Sequence, residues 1–187
     1  IVYIPHFMSW VVAASIFSMI LSPTSAGLVN DVMMKLHLIT DNIYFLGDQK
    51  WWRFSYYIIN VWKDTGWGTI IFMATLAGIS PELYEAASMD GANRFQKMIY
   101  ITLPALNNTI VTVLVLNLAK VMNLFESVFV LQNDAVIKVS DVLQTYIYTQ
   151  TFNSGAIPDY GYTTAVGMFS SIISCILVLV CNRVSHK

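Results

Sequence analysis

The sequence contains little charge. Only 11% of its 187 residues are charged, whereas 56% are hydrophobic; soluble domains carry about 25% charged residues. A soluble surface of this size needs more charge, so the composition excludes an ordinary soluble domain. Lipid accepts only helices or closed barrels, and the apolar runs are too long and too little alternated for barrel strands. We therefore predict an all-α integral membrane protein.

The sequence also lacks the motifs of catalysis. It has no GxxxxGK[ST] loop for nucleotide phosphates, no HExxH or CxxC motif, and its histidines are scattered at positions 6, 37 and 186. Cys175 and Cys181 share one apolar run, where a helix would separate them by about 9 Å along its axis, too far for a disulfide. The formal net charge of −1 gives no basic field for nucleic acid. We predict no enzyme activity, no metal, no cofactor bound by this chain and no nucleic-acid partner.

Four stretches have about the 20 apolar residues that a membrane-spanning helix needs. They are Ile4–Leu21, Phe54–Ile79, Pro104–Phe125 and Tyr162–Cys181. The second stretch is interrupted by polar residues and glycines, namely Lys63, Asp64, Gly66 and Gly68. Aromatic side chains of the kind that collect at a membrane interface are Trp51, Trp52, Tyr56, Tyr57 and Trp62.

Three connections join these stretches. Ser22–Arg53 is polar and contains a short amphipathic piece over Leu28–Leu38, and Glu126–Gly161 is long with a possible helix over Ser140–Thr151. The third connection is Ser80–Leu103. Lysine and arginine near the stretches number four on each side of the membrane, so the positive-inside rule leaves the orientation open.

The segment from Ser80 to Pro104 predicts two short helices joined by a sharp turn. Ser80 suits a helix N-cap, Pro81 the first helical position and Glu82 the positive end of the helix dipole. A helix then continues to Met89, and Asp90-Gly91 ends it because glycine adopts the left-handed backbone of a helix end. The second helix is predicted over residues 92–100. Such a piece is either a rigid lever that another protein moves or a plain amphipathic connector.

This segment resembles the EAA loop of binding-protein-dependent ABC importer permeases. The resemblance lies in Glu85-Ala86-Ala87, Asp90-Gly91-Ala92 and Ile101-x-Leu103-Pro104, three pieces at fixed spacing between two spans. YIPHFMSWVVAASIF, FLGDQKWWR and the ending YGYTTAVGMFSSIISCILVLVCNRVSHK resemble the carbohydrate branch, related to lipoprotein/polysaccharide and multi-sugar uptake. The resemblance covers essentially the whole chain. It implies a polytopic helix bundle of the type I ABC importer permease class, with one transmembrane domain over 1–187 and a cytoplasmic coupling loop over 80–103.

The resemblance assigns roles to this loop. Glu85 would form a salt bridge with the ATPase subunit, Ala86 and Ala87 would pack in its cleft, and Gly91 would turn the chain. Leu103-Pro104 would join the loop to the next span. The complete set of predicted coupling residues is Glu82, Leu83, Glu85, Ala86, Ala87, Met89, Asp90, Gly91, Ala92, Leu103 and Pro104.

The resemblance also implies partners and location. Cytoplasmic ATPase subunits would hold ATP and Mg, and a second permease would complete a heterodimer in the cytoplasmic membrane of a bacterium. The first span's N-terminal end and the C-terminal tail would be cytoplasmic, and the two other connections would face a solute-binding lipoprotein outside. A full family member has about six spans, so this chain is expected to be the C-terminal part and to lack roughly the first two. The cargo would be an oligosaccharide or polysaccharide fragment.

Polar residues within the predicted spans are candidates for a substrate path, because an intramembrane charge usually faces a cavity or a partner. Adjacent helix residues point about 100° apart, so Lys63 and Asp64 cannot share one narrow stripe. The alternative is that such residues form interhelical contacts within the subunit or with its partner. The predicted path residues are Lys63, Asp64, Trp67, Asn117, Lys120, Asn123 and Phe125.

Two other functions stay open at this stage. An ABC permease for another solute, such as an amino acid or phosphate, would share the loop. An ion-coupled secondary transporter would use Lys63, Asp64 and Lys120 and would be expected to show inverted repeats. We find no internal repeat in the sequence.

Overall fold

A computed structural model describes residues 2–24, 27–153 and 159–185, and the regular elements within these ranges are all helical. The all-α prediction is thereby confirmed. A 3₁₀ turn at Ile4–Phe7 comes first, and a π turn at Met98–Thr102 joins α5 to α6. The α-helices are α1 Trp10–Ile20, α2 Leu28–Lys35, α3 Gln49–Ala77, α4 Pro81–Met89, α5 Arg94–Lys97, α6 Leu103–Val121, α7 Glu126–Leu131, α8 Ile137–Ser140, α9 Leu143–Phe152 and α10 Tyr160–Ser185.

Two helices within the described ranges are long and apolar enough to cross a membrane, Arg94–Val121 and Tyr160–Arg183. They match the third and fourth predicted spans. Helix α3 has 29 residues, or about 44 Å, which is long enough to cross a membrane. Its charged and polar residues keep its hydropathy below that of these two helices. Helix α3 packs on α6, and α6 packs on α10, so these three helices form the body of the bundle.

The first predicted span is a shorter helix than the sequence indicated. Helix α1 has 11 residues and begins at Trp10, where the Ser9 hydroxyl oxygen accepts a hydrogen bond from the Val12 amide at 3.2 Å. The preceding residues form the 3₁₀ turn, which packs against the middle of α3. The prediction of one helix from Ile4 to Leu21 is therefore wrong over its first six residues, and the N-terminal turn lies halfway along α3.

Helix α3 runs unbroken through Gly66 and Gly68, the glycines that interrupt its apolar stretch. Gly66 is buried, and a Cβ atom there would collide with the Val2 carbonyl group and lie 2.6 Å from the Tyr3 Cα. Glycine at this position lets the N-terminal backbone approach α3. Gly68 has open space where a Cβ would be.

The buried core lies near the first half of α3. Trp52 and Tyr56 stack with ring centroids 5.2 Å apart, and Ile59 is fully buried beside them. The Trp52 indole donates to the Leu131 carbonyl oxygen at 3.1 Å, and the Tyr56 hydroxyl lies 2.9 Å from the Ser127 hydroxyl. Trp52 and Tyr56 are thus core residues rather than interface aromatics, because the α7 segment covers them.

The two longer connections carry the short helices that the sequence predicted. Helix α2 matches the amphipathic piece, and α9 matches the helix predicted over Ser140–Thr151 with a later start. Asn30 of α2 is buried; its amide nitrogen donates to the carbonyl oxygens of Ser22 and Ile43 at 2.9 Å each, and its amide oxygen accepts from the Ile43 amide at 2.9 Å. These bonds hold α2 against the segments that precede and follow it in the same connection.

Candidate functional site

The first candidate site is the segment of residues 81–97, comprising α4, a turn and α5, which we call the elbow. Ser80 occupies the N-cap position with extended backbone and Pro81 begins α4, as predicted. The Ser80 side chain, however, makes no capping hydrogen bond. Glu82 lies in the first turn of α4, where the positive end of the helix dipole stabilises its negative charge.

The turn of the elbow is a Schellman motif. Gly91 has φ of +78°, the left-handed backbone that the sequence predicted there. Its amide donates to the Ser88 carbonyl oxygen at 3.1 Å, and the Ala92 amide donates to the Ala87 carbonyl oxygen at 2.9 Å. These two bonds satisfy the last carbonyl groups of α4. The elbow therefore has a defined geometry rather than a flexible joint.

The second helix of the elbow begins with a capping box. The Asn93 side chain accepts from the Gln96 amide at 2.9 Å, and the Gln96 side chain accepts from the Asn93 amide at 2.8 Å. This pairing satisfies two amides that a helix start leaves free.

The sequence predicted that this second helix ends before the next span, and that prediction is wrong. It continues from Arg94 through the π turn into α6 as one piece of 28 residues. Proline lacks the amide hydrogen of a regular helical bond, and the wider π turn before Pro104, closed by the Leu103 amide and the Met98 carbonyl oxygen, accommodates it. The elbow is therefore joined to α6 without a break in the helix.

Side-chain bonds brace α4 against this continuous helix. The Tyr84 hydroxyl lies 2.9 Å from the Thr102 hydroxyl, and the Lys97 ammonium donates to the Ser88 hydroxyl oxygen at 2.5 Å. The Ser88 hydroxyl in turn donates to the Tyr84 carbonyl oxygen at 2.7 Å. Sequence reasoning missed these residues, because their partners are 9 and 18 positions apart and no local pattern pairs them.

The outer surface of the elbow is open. No residue of α4 is buried, Met89 is 90% exposed and Leu83 is 53% exposed. Glu85 is exposed and forms no ion pair within the ranges that the structure describes. Exposed apolar side chains grouped with a free carboxylate are typical of a protein interaction surface. The predicted coupling residues Glu82, Leu83, Glu85, Ala86, Ala87, Met89, Asp90, Gly91 and Ala92 all lie on the elbow, and Leu103 and Pro104 lie at the first turn of α6.

The second candidate site is a cavity of about 310 Å³ between α3 and α6, which we call the α3–α6 cavity. Four of the seven predicted path residues line it, namely Asp64, Trp67, Asn117 and Lys120. Its remaining lining residues are His6, Gly68, Ile71, Val113 and Leu116. The cavity thus combines an aromatic ring, an amide and both signs of charge with an apolar wall.

His6 forms part of this wall, although it was not among the predicted path residues. Its imidazole stacks on the Trp67 indole with ring centroids 5.1 Å apart and planes 18° apart. Its Nδ1 atom lies 3.7 Å from the Asp64 carboxylate. No sequence pattern indicates this contact, because it depends on the 3₁₀ turn that brings His6 against α3. His6 and Asp64 are 58 positions apart in the sequence (64 − 6).

Lys63 lies outside the α3–α6 cavity. It is only 6% exposed, its ammonium donates to the His6 carbonyl oxygen at 3.1 Å, and it lies 5.1 Å from the centroid of the Trp10 ring. It therefore holds the N-terminal turn in place, while the neighbouring Asp64 faces the cavity. This divergence follows from the helical angle between adjacent residues.

Asn123 and Phe125 also lie away from the α3–α6 cavity. The Gln144 amide of α9 donates to the Asn123 side-chain oxygen at 3.3 Å. The Phe125 ring packs with Phe129 at 5.0 Å and with Tyr148 at 5.4 Å between ring centroids. These two residues connect the end of α6 to α7 and α9.

The helical fold, the apolar spans and the exposed elbow define the membrane component of a transport system. Residues 1–187 match the family model described as the binding-protein-dependent transport system inner membrane component, and the chain belongs to this family.

Similar proteins support this assignment. The chain is 41% identical to Protein LplB of Bacillus subtilis and 39% identical to the polygalacturonan/rhamnogalacturonan transport system permease protein YteP of the same organism, covering 100% of this chain and 57% of each. It therefore spans little more than half the length of these relatives.

A solved structure gives the same result for the fold. The crystal structure of a bacterial ABC transporter involved in the import of the acidic polysaccharide alginate matches with a TM-score of 0.92 and 36% identity. The match covers 100% of this chain and 63% of that chain. The predicted fold, an ABC importer permease, is thereby confirmed.

Proposed function

We propose that this chain belongs to the membrane-spanning subunit of an ATP-driven importer of oligosaccharides or polysaccharide fragments. In this proposal the elbow lies in the cytoplasm and docks in the cleft of a separate ATPase subunit. The α3–α6 cavity forms part of the path that the sugar follows. The chain contributes mechanics and binding, while ATP and Mg are held and ATP is hydrolysed on the partner.

The observation that carries the proposal is the construction of the elbow. It is exposed on its outer side, fixed at Gly91 by the Schellman motif, and continuous through α5 with α6. A partner that displaces α4 would therefore displace a helix that spans the membrane. An amphipathic connector on the bilayer surface would need neither the Tyr84–Thr102 bond nor the continuous helix.

The other proposed partners follow from the family and its relatives. The family name specifies a binding protein, and a solved alginate ABC transporter contains a periplasmic protein carrying an alginate pentasaccharide. We place α2, α7 and α9 on the outer side, where a solute-binding lipoprotein would dock, and expect a second permease subunit beside this one. The C-terminal Lys187, predicted to be cytoplasmic, lies outside the described residues.

The ion-coupled alternative finds less support. It required Lys63, Asp64 and Lys120 to act on one path, whereas the Lys63 ammonium is buried against His6 and Trp10. An ABC permease for another solute remains compatible with the elbow, and the relatives named for sugar polymers favour a carbohydrate.

Co-purification of the ATPase subunit with the full-length chain tests the proposal. Glu85→Lys reverses the exposed charge on α4, and Gly91→Pro removes the amide that bonds to the Ser88 carbonyl oxygen. Both changes are expected to abolish association and uptake. Asp134→Lys is the matched control, since this exposed carboxylate lies far from the elbow and should leave the ATPase association intact. Retention of association and uptake in both elbow variants would refute the assignment.

A further inference from the structure

Two side chains of opposite charge line the α3–α6 cavity, Asp64 on α3 and Lys120 on α6. Both residues are exposed. Across residues 2–24, 27–153 and 159–185 the Lys120 ammonium forms no ion pair. The Asp64 carboxylate lies 3.7 Å from the His6 Nδ1 atom, which is beyond hydrogen-bond distance, and that atom has no hydrogen-bond partner among the described residues. The cavity therefore contains a carboxylate and an ammonium that no described side chain satisfies.

The two charges lie at the same level and face each other. The Thr75 hydroxyl of α3 is 2.9 Å from the Thr109 hydroxyl of α6, near the elbow end of both helices. Asp64 lies 11 residues from Thr75 (75 − 64), and Lys120 lies 11 residues from Thr109 (120 − 109). Eleven helical residues make about three full turns and about 16 Å of rise. Each charge therefore lies on the same face of its helix as the threonine, at the end of the cavity that is farther from the elbow.

The cavity leaves room for α3 and α6 to approach each other beside the charges. Gly68, one helical turn from Asp64, lines the cavity and has open space where a Cβ would be. No side chain at that position of α3 obstructs α6. Helix α6 is itself the end of a continuous helix that begins in the elbow at Arg94. A movement of the elbow about the threonine contact would therefore change the distance between the Asp64 carboxylate and the Lys120 ammonium.

The position of Lys120 has a competing explanation. It lies in the last turn of α6, where the negative end of the helix dipole stabilises a cation and where a long side chain can reach the membrane surface. That explanation accounts for Lys120 alone and not for a carboxylate at the same level on the facing helix. Ionisable side chains within a membrane protein usually face a cavity and pair with one another. The two explanations differ in whether neutralising Asp64 changes the position of α6.

We infer that Asp64 and Lys120 are the two halves of a gate. The Lys120 ammonium donates to the Asp64 carboxylate when the cavity closes at the end away from the elbow, and the two groups separate when it opens. The structure shows them separated, with the cavity of about 310 Å³ between α3 and α6. This inference rests on the proposed function, since it assigns one step of the proposed transport cycle to this cavity.

Distances between spin labels in the complete permease–ATPase complex test the gate. A full-length chain whose native cysteines are replaced by Ser carries labels at Val61→Cys on α3 and Val121→Cys on α6, two exposed positions within one turn of the charges. Labels at Met73→Cys and Ile110→Cys, beside the threonine contact, are the matched control pair. Each pair is measured without nucleotide and with the complex trapped by ATP and vanadate.

The distance between the labels at Val61 and Val121 is expected to differ between the two nucleotide states, whereas the control distance stays constant. Asp64→Asn should lower the ratio of the shorter to the longer distance about tenfold or more, and so should Lys120→Gln, because each change leaves a charge unpaired in the closed cavity. Exchanging the charges, with Asp64→Lys and Lys120→Asp together, should restore the ratio. Lys138→Gln, which alters an exposed lysine of α8, should leave it unchanged. Co-purification of the ATPase subunit shows that each variant has folded.

A single distance in both nucleotide states would overturn the gate. A shorter-distance population that neither neutralising change reduces, or that the exchanged charges fail to restore, would overturn it as well. A complex that hydrolyses ATP and imports sugar while this distance stays constant would overturn the gate and leave the proposed function intact. Failure of the ATPase subunit to associate with the unaltered chain would instead refute the proposed function.

Discussion

Replacing Tyr84 by Phe tests whether the elbow moves as one rigid piece. The change deletes only the hydroxyl that lies 2.9 Å from the Thr102 hydroxyl and joins α4 to the helix that becomes α6. One such bond contributes about 0.5–1.5 kcal/mol net, so the ratio of braced to unbraced elbow should fall about two- to twelvefold. The docking surface around Glu85 and Met89 is unchanged, so the ATPase subunit should still bind.

The expected result is partial uncoupling. In proteoliposomes with the full transporter, Tyr84→Phe should raise the number of ATP molecules hydrolysed per sugar imported, because α4 moves without carrying α6 with it. Thr102→Val should do the same, and the double variant should be no worse than Thr102→Val alone, since both single changes delete the Tyr84–Thr102 bond. Tyr100→Phe is the matched control, because this tyrosine is 76% exposed. Unchanged stoichiometry in Tyr84→Phe, or additive losses in the double variant, would refute a rigid elbow.

Three stability predictions follow from the packing, each measured by denaturation of the detergent-solubilised protein. Tyr56→Phe should cost about 1–3 kcal/mol by leaving the buried Ser127 hydroxyl without its partner, and adding Ser127→Ala should recover part of that loss; no recovery would contradict the pairing. Gly66→Ala should destabilise by about 1–3 kcal/mol through overpacking, whereas Gly68→Ala, with open space, should stabilise by up to about 1 kcal/mol; equal effects would contradict the close approach at Gly66. His37→Gly should stabilise by about 1 kcal/mol because its φ of 55° strains a side chain, and a loss would contradict that assignment.

Local signals in the sequence predicted the elbow well. The start of α4 and the left-handed turn are determined by the residues at those positions, Ser80-Pro81-Glu82 and Asp90-Gly91. Both features could therefore be predicted without knowing the rest of the fold. The same local reasoning failed at Pro104, because proline can either end a helix or be absorbed by a wider turn, and only the continuous helix decides between them.

The α3–α6 cavity could be predicted only in part. Asp64, Trp67, Asn117 and Lys120 stand out as polar or aromatic residues within apolar runs, a signal that a sequence carries by itself. His6 does not, since its role depends on a turn that folds back across α3 at Gly66. Lys63 carried the same signal as Asp64, yet it faces the N-terminal turn, because helix periodicity separates adjacent residues without saying which one faces the cavity.

The side of the membrane on which the elbow lies tests the central claim most directly. A full-length chain with Met89→Cys, and with Cys175, Cys181 and any other native cysteine replaced by Ser, places a single thiol on α4 at a residue that is 90% exposed. A membrane-impermeant maleimide should label it from the cytoplasmic side only, and the ATPase subunit should protect it. Labelling from the outer side, or equal labelling with and without the ATPase subunit, would contradict the account.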